Sequence, residues 1–239
     1  MITYLDWDST FFGFKIGYID LTEKFHFSIE EIINDINKSD FKLIYIYSNI
    51  SQEIKINSND IDLNLVDTQL LLSMNIPDNI PATSYQIIDY KNKNDYKKII
   101  GNLFNIAKDI SVYSRFYNDK KISKSKVRDL YVEMVQNSIN DSYGNGILFE
   151  LLDNKIVGLF SISIKESGAK ELLIGTEKGL RGKGIGRNIF LKALNFCKDN
   201  GVKKITTIVS ARNIDSANFH FKLGYNLYTI RNVYHIWVN

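Results

Sequence analysis

Apolar positions along this chain switch repeatedly between helical spacing and strand-like runs, which predicts an α/β protein. Ile29, Ile32, Ile33 and Ile36 share one helical face, and the helix opens with the capping box Ser28-Ile29-Glu30-Glu31. Residues 41–47, rich in Ile and Tyr, read as a strand. Leu63, Leu65 and Val66 lead into a further strand at Leu70, Leu71 and Leu72. The only two prolines, Pro77 and Pro81, then stand close together and mark the best domain boundary. The expected division is a smaller N-terminal α/β domain, 1–80, ahead of a larger unit, 81–239.

Past that boundary a strand at 85–88 precedes a helix carrying Tyr96, Ile99, Ile100, Leu103, Phe104 and Ala107 on one face. Val127, Leu130, Tyr131, Met134 and Val135 mark a second helix. Residues 147–152 and 155–164 read as a hairpin around Asp153-Asn154. A strand at 171–176 runs into a glycine-rich turn, and a helix with Ile189, Ala193 and Cys197 on its stripe follows, ending at Gly201. A buried strand at 205–209, a short helix around Phe219 and two closing strands, 225–230 and 233–238, complete the chain.

The glycine-rich turn, Arg181-Gly182-Lys183-Gly184-Ile185-Gly186, bears most on function. Glycine lets the backbone approach a ligand closely. The helix start beyond it aims free N–H groups and a positive dipole end into the turn, a setting suited to pyrophosphate. The dinucleotide fingerprint does not fit, because Arg187 stands where its third glycine belongs. A P-loop does not fit either, because Gly182-Lys183 is followed by Gly184 and not by Ser or Thr.

The pattern Arg-x-x-Gly-x-Gly resembles the acetyl-CoA pyrophosphate loop of the GCN5-related N-acetyltransferase (GNAT) superfamily. The segment from Asn213 to Tyr225 resembles a second GNAT motif, matching at Asn213, Phe219, Lys222, Gly224 and Tyr225, with Ala217 one place late. Leu5 to Gly13, Tyr113 to Asp119 and Leu130 to Ser138 are similar to bacterial acetyltransferases of dTDP-4-amino-4,6-dideoxy-galactose (dTDP-fucosamine). Met134 departs from that pattern, which has tryptophan there.

The resemblance implies an α/β (α+β) GNAT fold, a mixed central sheet flanked by helices with a smaller N-terminal α/β domain, and acetyl-CoA as cosubstrate. It further implies acetyl transfer to the amine of a nucleotide-linked deoxyamino sugar used in surface glycan synthesis, or else to another small amine or a peptide N-terminus, the other alternative being a non-catalytic binder of CoA or a nucleotide sugar. Acetyl-CoA would lie against Arg181, Gly182, Lys183, Gly184, Ile185, Gly186 and Arg187, with Phe219 alongside. The pantetheine arm would pair with strand backbone at Ile174, Gly175 and Thr176, Gly175 marking a bulge. Asn213 would hold pantetheine or its water, unless it serves as a helix cap.

His220 occupies the position of the family's tyrosine acid; it is the expected proton donor, or else a packing residue with Tyr225, Tyr234 or water donating instead. Glu171 is the expected base, or else a solvated charge at a strand end. Arg115 and Tyr113 are the expected substrate contacts, Arg115 binding diphosphate or else forming an interdomain ion pair. Trp7, Phe12 and Phe116 are expected in the core or at the domain interface.

Composition narrows the reading without changing it. The net charge of +3 and pI near 8.7, with basic residues spread along the chain, give no case for nucleic acid. Cys197 is the single cysteine, so an internal disulfide is excluded, and its place on a helix stripe makes it a core residue. His26, His220 and His235 show no metal-ligand spacing, so no metal is expected. No apolar run approaches the roughly 20 residues of a membrane span, and the first residues lack a basic start. A cytoplasmic protein, monomer or homodimer, is the expectation.

Overall fold

Strand β4 (Ile61–Asn75), fifteen residues long, organises the whole sheet. One edge pairs with β9 (Lys204–Ser210) and the other with β10 (Asn226–Val238), both antiparallel. The computed structural model describes residues 2–23, 27–56, 60–89, 91–140 and 144–238, so His26 lies outside the described residues.

The remaining strands are β1 (Thr3–Tyr4), β2 (Ile16–Leu21), β3 (Leu43–Asn49), β5 (Ile87–Ile88), β6 (Ile147–Leu152), β7 (Lys155–Lys165) and β8 (Gly168–Thr176). Among the described residues they form one ten-stranded sheet, ordered β1-β2-β3-β10-β4-β9-β8-β7-β6-β5. Because β10 lies between β3 and β4, the sheet runs without a break across the proline-marked position near residue 80. The two expected closing strands are a single strand, β10, carrying irregularities in its pairing with β4 between Leu227 and Thr229 and between Val233 and Tyr234.

Helix α6 (Ile185–Asp199) covers one face. Its Ile189, Phe190, Ala193, Leu194 and Cys197 pack against Phe160, Ile162, Val209 and Tyr225. Helices α3 (Gly101–Ile110) and α5 (Lys124–Ile139) bring Leu103, Ile106, Ala107, Val135 and Ile139 to a second cluster with Leu159 and Leu173. Neighbouring β7 residues thus serve opposite faces, as the pleat requires. Helix α3 begins at Gly101, later than the periodicity suggests, because residues 93–96 form a 3-10 turn.

Helix α2 (Ile29–Asn37) is capped as expected, with Ser28 Oγ accepting from the Glu31 N–H at 3.2 Å. Its apolar face covers β2, β3 and β10 in a third cluster that includes Ile44, Ile46 and Tyr234. The hairpin from β6 to β7 turns through Asp153 and Asn154 with φ of 50° and 60°, the positive pair a tight two-residue turn demands. Helix α1 (Asp6–Phe12), the short helix α4 (Arg115–Asn118) and α7 (Ile214–Lys222) complete the fold.

Parallel pairing of β8 with β9 stops after three pairs, the last being Lys170 with Thr206. Beyond it β8 stays with β7, and β9 stays with β4. A wedge therefore opens between residues 171–176 and 207–210. The bulge in β8 falls at Leu172, since Ser161 pairs with Leu173 and Ile162 with Glu171. Gly175, expected to mark it, is instead in regular register with Leu159. Glycine is needed there for another reason: a Cβ would stand 2.8 Å from Ile106 Cγ2 and 2.9 Å from Ile110 Cγ2 of α3.

Candidate active site

Local backbone chemistry shapes the glycine turn. Gly182 and Gly184 have φ of +79° and +83°, left-handed values that favour glycine. Gly184 stands at the N-cap of α6, and the first intrahelical bond runs from the Asn188 N–H to the Gly184 carbonyl at 3.0 Å. The amides of Ile185, Gly186 and Arg187 precede it, in the turn where a helix leaves its donors without intrahelical acceptors. A Cβ on Gly186 would come within 3.1 Å of two Phe219 ring atoms, so α6 and α7 approach closely at that point. Arg181, Lys183 and Arg187 are exposed around the turn.

A cavity of about 520 Å³ follows this turn, lined by Ile174, Gly175, Thr176, Arg181, Gly182, Gly184, Gly186, Arg187, Asn213 and Phe219. Ten of the twelve residues expected to meet acetyl-CoA are thus together, while Lys183 and Ile185 belong to the same turn. The residues fit the cosubstrate. A cationic loop with helix-start amides suits a diphosphate, and the β8 edge released by the wedge suits an amide-bearing arm. Asn213 acts as a cap, its Oδ1 accepting from the Ser216 N–H at 3.1 Å, while still lining the cavity.

A second cavity, about 370 Å³, shares Ile110, Tyr113, Ile174, Asn213 and Ser216 with the first. Those five mark where the two clefts meet. Its floor is the sheet face carrying Tyr47, Asp67, Gln69, Ser210 and Arg231, and its roof is formed by residues 113–116 with Tyr131 and Met134. Among the described residues its lining carries Arg115, Lys170, Arg231 and His220, with two carboxylates, Asp67 and Glu171. The half-buried Arg115 lies 4.2 Å from the Tyr45 ring centroid and 4.5 Å from that of Phe116, and it donates from Nη1 to the Tyr47 hydroxyl. Arg231 stacks over the same Tyr47 ring at 4.2 Å and donates from Nε to Gln69 Oε1 at 2.9 Å. These contacts aim two guanidinium groups into one chamber.

Glu171 sits at the crotch of the wedge and is no solvated strand-end charge, being 3% exposed. Its Oε1 lies 2.7 Å from His220 Nε2 and accepts from Thr207 Oγ1 at 3.1 Å, while Oε2 accepts from the Tyr225 hydroxyl at 2.9 Å. His220, 1% exposed, also has Nδ1 2.7 Å from the Ser216 carbonyl. Both partners of the imidazole are acceptors, which favours the doubly protonated ring. Burial opposes that charge, but the Glu171 carboxylate outweighs it, and the balance raises His220 above an ordinary histidine. Burial, reinforced by Glu171, pushes the Tyr225 phenol well above its usual value.

The expected acid and base are therefore bonded to each other, and both imidazole N–H groups are engaged. Tyr225 is engaged with the same carboxylate. Tyr234, the other fallback donor, packs in the cluster under α2 and lines neither cleft. Phe12 and Phe116 pack against the cluster containing Tyr45 and Trp237, and Trp7 stacks on Phe11 at 5.9 Å. Cys197 is buried in the α6 core, and burial pushes its thiol up to about 12.

Sequence reasoning did not single out Asp67, Lys170, Tyr47 or Arg231 as lining this chamber. Asp67 and Tyr47 come from strands well before the glycine motif, and nothing local distinguishes them from ordinary strand residues.

Residues 113–225 match the model of the acetyltransferase (GNAT) family. Uncharacterized protein YxbD of Bacillus subtilis (strain 168) is 33% identical over 84 residues, 35% of this chain and 50% of YxbD. The chain thus spans about half the length of that curated relative. A crystal structure from the GNAT family of Novosphingobium aromaticivorans superposes with a TM-score of 0.54 at 9% identity, over 87% of this chain and 79% of that one. A functionally unknown conserved protein of Staphylococcus epidermidis gives 0.54 at 10% identity, over 95% and 84%. The chain has the GNAT fold, and residues 113–225 are the part of it that matches the GNAT family model.

Proposed function

We propose that this GNAT-fold chain is an acyl-CoA-dependent N-acetyltransferase. Its acceptor would be the amine of a nucleotide-linked deoxyamino sugar, of the dTDP-4-amino-4,6-dideoxyhexose type, made for surface glycans. One observation carries the reading: the chamber joined to the glycine-loop cleft presents Arg115, Arg231 and Lys170, while one of its two carboxylates, Glu171, is occupied by His220, Thr207 and Tyr225. A diphosphate beside the amine suits that lining, whereas a polyamine would be repelled by it.

In this reading the amides and cations from Arg181 to Arg187 hold the coenzyme diphosphate, and the open β8 edge at Ile174 and Thr176 orients the pantetheine. A backbone N–H on that edge meets the charge developing on the thioester oxygen. Tyr113, at the junction of the clefts, and Arg115 orient the acceptor. The His220–Glu171 pair ties α7 to β8 at the crotch and sets the width of the wedge.

The test is a mass-spectrometric assay with acetyl-CoA and dTDP-4-amino-4,6-dideoxy-galactose. Acetylated sugar is the expected product. A panel of nucleotide amino sugars that yields none rejects the acceptor assignment. Thermal stabilisation by acetyl-CoA without turnover on any amine would instead mark a coenzyme-binding protein without catalysis.

A further inference from the structure

Acetyl transfer to an amine that arrives as ammonium needs a proton acceptor, and Glu171 already receives three donors. Asp67 is the other carboxylate of the acceptor chamber. It comes from β4, outside the segment that matches the GNAT model. Only 2% of it is exposed, and Ser210 Oγ donates to its Oδ1 at 2.6 Å. The floor of the chamber places it beside Gln69 and Ser210, and β10 brings Arg231 opposite Gln69.

We infer that Asp67 is the group that meets the acceptor's ammonium and takes its proton, a role that rests on the acetyltransferase reading above. The carboxylate accepts one proton from the ammonium and later releases it to solvent. The freed nitrogen pair forms a bond to the thioester carbonyl carbon, the C–S bond breaks with its electrons going to sulfur, and the second proton lost by nitrogen leaves with the thiol. The products are amide, free thiol and one solvent proton, so atoms and charge balance.

The electrostatics of the chamber agree with this. Burial raises Asp67 above the usual carboxylate range, and the Ser210 hydroxyl, the Thr68 backbone, Arg212 and Arg115 oppose that rise. A carboxyl moved toward working pH is a better proton acceptor than an ordinary one. The other titratable and charged groups of the chamber are Tyr131 of α5, pushed up to about 12 by burial, Tyr47 of β3, Arg231 of β10, Lys170 of β8, lowered by burial, and the His220–Glu171 pair. The same cations disfavour ammonium over amine beside them.

The experiment measures acetyl transfer against pH for the wild type, Asp67→Asn and Asp67→Glu, with acetyl-CoA binding followed by calorimetry. Asp67→Asn is expected to lower kcat about 100-fold and to erase the acidic limb of the profile, with coenzyme affinity unchanged. Asp67→Glu is expected to restore part of the rate with a shifted limb. A profile that keeps its acidic limb in Asp67→Asn, or a rate within threefold of wild type, overturns the assignment.

If the wild type acetylates no amino sugar, the functional reading fails, and Asp67 is judged separately. Carboxyl-carbon NMR of the wild type then compares dTDP-4-amino-4,6-dideoxy-galactose with its 4-hydroxy counterpart. A displaced Asp67 titration with the amine alone supports the contact; equal or absent responses overturn it.

Discussion

His220 Nε2 lies 2.7 Å from Glu171 Oε1, and both side chains are almost wholly buried where β8 parts from β9. The pair joins α7 to β8, and Thr207 and Tyr225 bring β9 and the start of β10 to the same carboxylate. Position in the fold thus turns two residues that look like an acid and a base into a strut.

That strut has a measurable strength. Removing one partner of a buried pair leaves a buried charge alone, so His220→Ala is expected to lose about 3–5 kcal/mol of stability in a denaturant titration. The sign with pH follows from the raised His220 value. Its contribution is complete below the unfolded value of about 6.5 and fades as pH rises through the folded one. Thermal melts of wild type and His220→Gln should therefore converge toward alkaline pH. Parallel melting curves across that range would contradict the pairing.

His235 behaves in the opposite sense. Its Nδ1 lies 2.6 Å from Asp119 Oδ2, which also accepts from Trp237 Nε1 at 2.9 Å. Its Nε2 is buried with no partner among the described residues. Burial lowers it to about 4, with Arg115 adding to the effect and Asp119 opposing it. Asp119 keeps its charge through three N–H donors, His235, Trp237 and the Lys121 backbone, and needs no second imidazole proton. The neutral ring's stabilisation is present above about 6.5 and is lost as pH falls to about 4, amounting to about 3 kcal/mol. His235→Phe should flatten that acid slope in melts between pH 7 and 4.5.

The close approaches at two glycines predict distinct failures. Gly175→Ala drives a methyl into Ile106 and Ile110 and should cost about 1–3 kcal/mol, read by thermal denaturation. Gly186→Val meets the Phe219 ring in the cleft proposed for the coenzyme. It should weaken acetyl-CoA in calorimetry by about tenfold, the size of one lost good contact of about 1.4 kcal/mol.

Arg231 and Arg115 share the Tyr47 ring and face one chamber. On the proposed acceptor, Arg231→Ala should raise KM for the nucleotide sugar by about 10- to 100-fold, the scale of a lost charged hydrogen bond, and leave KM for acetyl-CoA unmoved. Equal KM values in wild type and variant would remove the diphosphate from this chamber.

Much of the cleft proposed for the coenzyme is legible in the chain because it is local. Left-handed backbone at Gly182 and Gly184, the start of α6 and its apolar stripe are decided within about twenty residues. The hairpin turn at Asp153-Asn154 and the cap at Ser28 are equally short-range. Residue type and spacing suffice there, since the interacting atoms are neighbours in sequence.

Strand order is a different kind of fact. Alternating apolar residues in β4 and β10 are compatible with many partners, and only competition for the core places β10 between β3 and β4. That placement gathers Tyr47, Asp67, Arg115 and Arg231 into one chamber from positions up to 184 residues apart, and it draws Glu171 out of solvent to meet His220. The chain alone thus determined where a coenzyme's phosphates would find amide donors. Tertiary structure decided which charges line the chamber proposed for the acceptor, because sheet pairing sets those distances and burial sets the state of each group.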